Sequence, residues 1–312
     1  MNKSFDFVIV GSGPCGLLSA SILSEYGSTL VVEEGLEIKE SEKDIYTYNQ
    51  ITSGYLNCGL NIAYGWPLVL LSEAKCLGGG STLNSSLHHR APKYIWKKWR
   101  EIFNIKGFED DEVDLAYQEI ENLFCAQKGY IKPSNFYKIA SNSGEVVERI
   151  PRWGVEDKNG SFTRYTAKKI FKDKILNNNG KIFSHTKYID SHLDRNSNWI
   201  IKLKDLKINN KYSIKSRNLI LALGAGKTPI ALSQLGLKHP QLGKFEIHPS
   251  ARLSSFFPFE KPSKAVVEPF QITGHFPYLM IGSTATKTEL SKSAYPFKSN
   301  KYNIDFNRVQ NF

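Results

Sequence analysis

The chain has 312 residues, of which 41% are hydrophobic and 23% charged, and a formal net charge of +11 from 41 Lys and Arg against 30 Asp and Glu. That balance belongs to an ordinary globular protein, long enough for two domains or one large α/β domain with an insertion, and excludes a disordered or fibrous chain. The lysine excess is scattered, so nothing marks a nucleic-acid arm, and no stretch approaches the roughly 18 uninterrupted apolar residues of a membrane span.

Met1-Asn-Lys-Ser-Phe-Asp6 runs straight into an apolar segment, which leaves no room for a secretory leader. Cys15, Cys58, Cys76 and Cys125 form no C-x-x-C pair and no metal-ligand spacing. They read as reduced, mostly buried thiols, and together with the start of the chain they point to the cytoplasm.

Phe5 to Val10 is short, apolar and β-branched, which predicts a strand buried on both faces of a parallel sheet. Gly11-Ser12-Gly13-Pro14-Cys15-Gly16 follows without a gap. Apolar residues then recur at helical spacing from Leu17 to Tyr26, and Gly27 closes the helix. Ser28 to Val32 predicts a second strand, ending in Glu33-Glu34-Gly35. Strand, G-x-G-x-x-G, helix, strand and acid together make the βαβ fingerprint of dinucleotide binding. In that reading Gly11 permits the tight turn, Gly13 lets the pyrophosphate approach the backbone, and Gly16 allows close packing of helix on strand. Ser12 and Pro14 lie in the same phosphate-facing turn, at the positive end of the helix. Glu33 directly follows the strand and is the preferred partner for a ribose hydroxyl, with Glu34 as the alternative. Cys15 reads as a small residue that fits the turn, not as a redox thiol.

A second glycine-rich stretch runs from Cys76 to His89, Cys-Leu-Gly-Gly-Gly-Ser-Thr-Leu-Asn-Ser-Ser-Leu-His-His. Gly78, Gly79 and Gly80 remove side chains from the backbone, and the hydroxyl and amide groups that follow can cap a helix or bind an anion. No charged residue occurs from Leu77 to Leu87, which suits a buried, ligand-facing loop.

Three stretches then resemble, in order, the signatures of the glucose–methanol–choline (GMC) oxidoreductases. Gly78-Gly-Gly-Ser-Thr-Leu-Asn-Ser-Ser-Leu-His-His-Arg-Ala-Pro92 is similar to the first signature of that family. Leu219-Ile-Leu-Ala-Leu-Gly-Ala-Gly-Lys-Thr-Pro-Ile-Ala-Leu-Ser233 is similar to the second, and Leu242-Gly-Lys-Phe-Glu-Ile-His-Pro249 to the Gly-(spacer)-His-Pro stretch after it. The resemblance covers about residues 5–250. It implies an α/β fold: a doubly wound, Rossmann-like FAD-binding domain with a β-meander, then the start of a mixed α+β substrate-binding domain. It also implies an oxidoreductase that takes a hydride from a CH–OH group of a sugar or other alcohol to flavin N5. On the matching positions, Gly79, Gly80 and Ser81 would lie against the flavin side of FAD, with Asn84 hydrogen-bonding near the isoalloxazine. Gly224 and Ala225 would let the backbone pass beside the cofactor, and Ile189 would hold the adenine through its backbone. Thr228-Pro229 is expected to open a helix, Thr as N-cap and Pro as first residue. Some members attach flavin through a histidine in the first signature, so His88 and His89 stand as attachment candidates beside a simple packing role.

Between the signatures, Tyr94 to Arg100 predicts an amphipathic helix with Ile95, Trp96 and Trp99 inward. Glu109 to Phe124 predicts a second helix, with acids at its positive end and an apolar face of Val113, Leu115, Ala116, Ile120 and Leu123. Residues 135–160 read as polar loops with a packing corner at Pro151-Arg-Trp153. Lys181 to Ile189, Trp199 to Leu203, Tyr212 to Ser216 and Asn218 to Leu223 alternate as strands, with Asn209-Asn210 as a turn. Beyond Pro249, Ala251–Leu253, Ala265–Val267 and Tyr278–Ile281 read as strands and residues 283–312 as loosely packed. The expected domains are 1–92 with 161–246 for FAD, a helical insertion at 93–160, and a partial substrate-binding domain with polar tail at 247–312.

The sequence departs from the GMC pattern in one respect: the family's C-terminal catalytic histidine motif does not occur. His248 sits in a stretch whose usual role is structural and His275 in a Gly-His-Phe-Pro turn, so no catalytic base is assigned, and no metal. Three readings follow: a truncated or split GMC-type enzyme completed by a second polypeptide, a non-catalytic FAD-binding fragment, or a nicotinamide-dependent enzyme. Substrate, electron acceptor, covalent attachment of the flavin and oligomeric state are left open.

Overall fold

The computed structural model describes residues 3–38, 48–64, 68–158, 162–238, 267–275 and 279–284. The chain forms two compact units, Met1–Asn84 with Thr166–Ser250, and Ser85–Tyr165 with Ala251–Phe312. The first unit starts with β1 (Ser4–Val10), α1 (Pro14–Leu23), β2 (Thr29–Val32), α2 (Tyr48–Gly54), the hairpin β3 (Asn61–Ala63) and β4 (Val69–Leu71), and the single turn α3 (Gly80–Leu83). The second unit then contributes α4 (Lys93–Phe103), α5 (Asp110–Leu123), β5 (Ala126–Gln127), α6 (Asn135–Asn142), β6 (Val147–Arg149), β7 (Arg152–Glu156) and β8 (Phe162–Arg164). The chain returns to the first unit with α7 (Ala167–Asn177), β9 (Gly180–Phe183), β10 (Thr186–Leu193), β11 (Trp199–Asp205), β12 (Asn210–Leu221) and α8 (Gly224–Gln234). Described elements of the second unit close with β13 (Val267–Ile272) and β14 (Ile281–Thr284).

One sheet organises the first unit, in the order β10-β11-β12-β1-β2-β9. β1 lies parallel to both β12 and β2, and β2 parallel to β9, whereas β10, β11 and β12 form an antiparallel meander. β12 is long enough to serve both, pairing Lys215 to Leu221 with β1 and Asn210 to Ser216 with β11. The apolar runs of β1 and β2 bury almost completely because both faces are covered. On one side Val8, Val10, Leu30 and Val32 pack with Ile201, Leu203 and Ile214 of the meander. At about 1.5–3 kcal/mol for each fully buried aliphatic side chain, that layer is the main source of stability for the turns that follow each strand. Helices α1 and α7 pack against each other and on β1, β2 and β9. This is the Rossmann-like doubly wound sheet with meander that the sequence predicts.

The second unit holds two small antiparallel sheets, β14-β13-β6 and β5-β7-β8. Tyr137 of α6 packs on Phe270 and Ile272 of β13. Residues 135–160, expected as loops, therefore contain α6, β6, β7 and most of a small core. Their short runs lack a clear period, and only pairing with β13, over 100 residues further on, makes β6 a strand.

Four further expectations need correction. Lys181 to Ile189 is two strands, β9 and β10, that lie at opposite ends of the sheet; His185, at φ +56, turns the chain between them. Helix α8 starts at Gly224, with Leu223 as N-cap, so Thr228 is not the cap and Pro229 lies inside the helix. No residue of α4 is buried, and Trp99 keeps 44% of its surface exposed, so the expected inward face is not covered there. The thiols are free as expected but mostly not buried: Cys15 and Cys58 are exposed, Cys125 is intermediate and only Cys76 is buried. The expected strands at 251–253 and 265–266, His239, His248 and the tail from 285 lie outside the described residues.

Candidate cofactor site

The first turn after β1 is built as its glycines require. Gly11 has φ +102, open to glycine alone at low cost, and a Cβ there would strike the Ala222 carbonyl at the end of β12. A Cβ on Gly16 would strike the Gly11 carbonyl and press within 3.3 Å of the Ala222 side chain. Gly13 is different. Its φ is −64, available to any residue, and a Cβ placed on it meets nothing within 4 Å. Neither backbone conformation nor packing inside the protein explains that glycine. Pro14 is the first residue of α1, where its missing N–H costs nothing, and it and Cys15 are exposed.

The run at Cys76–Asn84 is stapled to this turn. The Gly78 amide donates to both the carbonyl and the hydroxyl oxygen of Ser12, at 3.1 and 3.2 Å. A Cβ on Gly79, which has φ +55, would come within 2.8 Å of Gly13 Cα. Gly80 opens α3, and a Cβ there again meets nothing within 4 Å. Ser81 donates to the Gly78 carbonyl at 2.7 Å and accepts from the Ala167 amide at 3.0 Å, which fixes the start of α7 beside the run. Asn84 caps α3 through its amide, bonded to the Gly80 carbonyl at 2.9 Å, and is exposed.

The third turn arrives from β12. The Ala222 amide bonds the Val10 carbonyl at 2.8 Å, so the start of α8 stands beside Gly11. Gly224 has φ +85, and a Cβ on it meets nothing within 4 Å. Three glycine turns, at 11–16, 78–80 and 222–224, thus meet around the end of β1. Three of their glycines, Gly13, Gly80 and Gly224, face space that a side chain would fill.

The two carboxylates after β2 have different surroundings. Glu33 is 8% exposed; its Oε2 accepts from the Ser12 amide at 3.0 Å and the Ser12 hydroxyl at 2.6 Å, and its Oε1 from the Gly35 amide at 2.7 Å. Glu34 is surrounded by cations: Lys227 at 2.9 Å, Lys75 at 3.5 Å and Lys187 at 4.0 Å. Burial pushes the Glu34 carboxyl up, but the hydrogen bond and charge of Lys227, with Lys75 and Lys187, overcome it and hold the group below its ordinary value. Glu34 thereby ties β2 to α8, β10 and the approach to the glycine run. None of these three lysines stands out in the sequence, because each is far along the chain from Glu34 and in no motif with it. On β10, Ile189 sits where the pairing with β11 slips between Tyr188 and Asp190, an irregularity of the kind that frees backbone groups from the ladder.

In the second unit His88 and His89 have separate partners. His88 lies 2.7 Å from Glu121 and packs on Trp153 with ring centroids 4.1 Å apart. Arg90 grips the same Glu121 through two bonds of 2.6 Å, and these, against the opposing effect of burial and with help from His88, hold the Glu121 carboxyl down to about 2. Partial burial and the charge of His88 push His89 below its ordinary value, opposed by a hydrogen bond to Gln271 and the charge of Glu148. His275, in the expected turn, pairs with Glu145 at 3.0 Å.

The family model for GMC oxidoreductase matches residues 5–250, well over half of the chain. The chain belongs to the GMC oxidoreductase family. It is 23% identical over 268 residues to an uncharacterized GMC-type oxidoreductase y4nJ of Sinorhizobium fredii, covering 81% of this chain and 53% of that protein. It is 27% identical over 282 residues to the long-chain-alcohol oxidase FAO4A of Arabidopsis thaliana, covering 83% and 38%. The chain thus spans about half or less of the length of these GMC relatives. In fold it is similar to a fungal aryl-alcohol oxidase, with a TM-score of 0.55 at 16% identity over 76% of this chain and 48% of that one. The N-terminal domain of GMC proteins binds FAD, and FAD is the cofactor of this chain; the nicotinamide reading falls with the family match. Bare backbone at Gly13, Gly80 and Gly224, beside a helix N-terminus, fits a dinucleotide of that kind. Among the described residues no helix is long and apolar enough to cross a membrane, and no group of three metal-ligating side chains occurs.

Proposed function

We propose that this GMC chain oxidises the CH–OH group of a sugar or other alcohol, with FAD as hydride acceptor. The reading rests on one observation above others: three glycine turns far apart in sequence meet at the end of β1 with side-chain-sized space in front of Gly13, Gly80 and Gly224. Alcohol oxidases and a pyranose dehydrogenase among the relatives support the substrate class. In this assignment Gly11, Ser12, Gly13, Pro14 and Gly16 form the turn that receives the pyrophosphate, where backbone N–H groups and the α1 dipole favour negative charge. Glu33, oriented by Ser12 and Gly35, accepts from a ribose hydroxyl. Glu34 is the alternative, and its three lysine partners count against it. Ile189 offers its backbone to the adenine. Gly79, Gly80, Ser81 and Asn84, with Gly224 and Ala225, line the flavin side. When bound, FAD supplies an N5 position that takes up a hydride from the alcohol carbon. The exposed thiols of Cys15 and Cys58 support a reducing, cytoplasmic setting.

A second reading, FAD binding without turnover, has an observation in its favour. A base must reach the hydroxyl proton, and the 312 residues contain no match to the catalytic histidine motif that the GMC resemblance leads one to expect. One experiment separates the two. The purified protein should be yellow, release FAD on denaturation, and bleach anaerobically when sugars or primary alcohols are added. Bound FAD that no alcohol bleaches would establish the second reading, and a protein that binds no flavin would remove both.

A further inference from the structure

We infer that Ser12 is a positioning residue that sets the adenosine half of the cofactor site by holding Glu33 in place before any ligand arrives. The inference rests on the FAD assignment above and deepens it. Ser12 is fully buried, at 0% exposure, so it acts through its neighbours and not by touch. Its amide and hydroxyl both donate to the same oxygen of Glu33, at 3.0 and 2.6 Å. Its carbonyl and hydroxyl oxygens both accept from the Gly78 amide, at 3.1 and 3.2 Å. The Cys76 carbonyl stands further off, at 3.5 Å, so the single hydroxyl proton goes to the shorter, charge-assisted bond with Glu33.

One residue therefore joins three segments that are separate in sequence: the turn after β1, the end of β2 and the run before α3. Two donors on one carboxylate oxygen fix how the Glu33 side chain is presented, and the Gly35 amide at 2.7 Å fixes its other oxygen. An ionised carboxylate accepts more than these three bonds, so Glu33 keeps acceptor capacity for a sugar hydroxyl while already oriented. Orientation achieved in the free protein is affinity that the ligand does not have to supply on binding. Without the Ser12 hydroxyl, Glu33 loses its shortest bond and is held by the Ser12 and Gly35 amides alone, and Gly78 loses one of its two acceptors.

The test is a double-mutant cycle on ligand affinity, read by calorimetry on flavin-stripped protein with ADP and with FAD. Ser12→Ala should weaken ADP and FAD by the same factor, about tenfold, because a hydrogen bond to a charged group is lost on the adenosine side. In a Glu33→Ala background the same change should cost less than about twofold, since a residue acting through Glu33 has nothing further to lose once that side chain is gone. Equal losses in the two backgrounds, or unaltered ADP affinity in a folded Ser12→Ala protein, would overturn the inference. If Ser12→Ala does not fold, Ser12→Cys fills the same space with a weaker donor and reads the same ratio. A parent protein that binds neither ADP nor FAD defeats the FAD assignment itself, a distinct outcome from additivity in a protein that binds both.

Discussion

A methyl group added at Gly13 and one added at Gly16 meet opposite fates. At Gly16 it lands on the Gly11 carbonyl, just past the end of β1, and presses on the Ala222 side chain. At Gly13 it meets nothing of the protein within 4 Å, in a conformation that any residue adopts. Gly13→Val should therefore fold with a melting curve close to that of the parent and yet purify without the visible flavin band. Gly16→Val should lose about 3 kcal/mol or more of stability and fail to accumulate as soluble protein. Unfolding curves and visible spectra of the two variants check this together; flavin retained by Gly13→Val would remove the pyrophosphate from that turn. The spacing of these glycines was legible in the sequence, because each rule behind G-x-G-x-x-G is local to the turn. The partners of Glu33 and Glu34 were not. Ser12 lies 21 residues from Glu33 and Lys227 lies 193 from Glu34, so only the folded sheet brings them together.

At the scale of elements, α5 shows the same division. Its start was readable: acids crowd the first turn, and Glu109 and Glu112 close a capping box. Its packing was not, since Leu115 and Leu123 of the expected apolar face remain exposed and only Val113 is buried. Surface polarity patterns report an amphipathic helix without saying whether anything covers it, and α4 repeats the lesson. Helix α5 is instead tied to the segment before α4 by charge, through Glu121 and Arg90. Because Glu121 is held down to about 2 in the folded protein, its contribution is complete above the ordinary glutamate range and disappears as pH falls from about 4.5 to 2. Glu121→Gln should cost about 1 kcal/mol near neutral pH, a figure kept small by the exposure of Arg90. The gap between parent and variant should then close as the pH is lowered through that window. Denaturant unfolding followed by tryptophan fluorescence measures it, and a gap that stays constant with pH would assign the effect to packing.

For the whole molecule, the order of elements matters more than any contact. The three glycine turns all belong to the unit formed by Met1–Asn84 and Thr166–Ser250, while Ser85–Tyr165 folds into the other unit. Replacing residues 85–165 by a short Gly-Ser linker, in a chain ended at Ser250, should leave ADP and FAD affinity at the same order of magnitude. Calorimetry decides it, and loss of binding in a folded product would show that the first unit is not self-sufficient. The reason to expect success is the bond between the Ala167 amide and the Ser81 hydroxyl, 3.0 Å across. It closes a gate: the point where the polypeptide departs on its long detour and the point where it comes home are next-door neighbours. A detour with a shared doorway can be lengthened, trimmed or exchanged in evolution while the sheet and glycine turns behind it keep their shape.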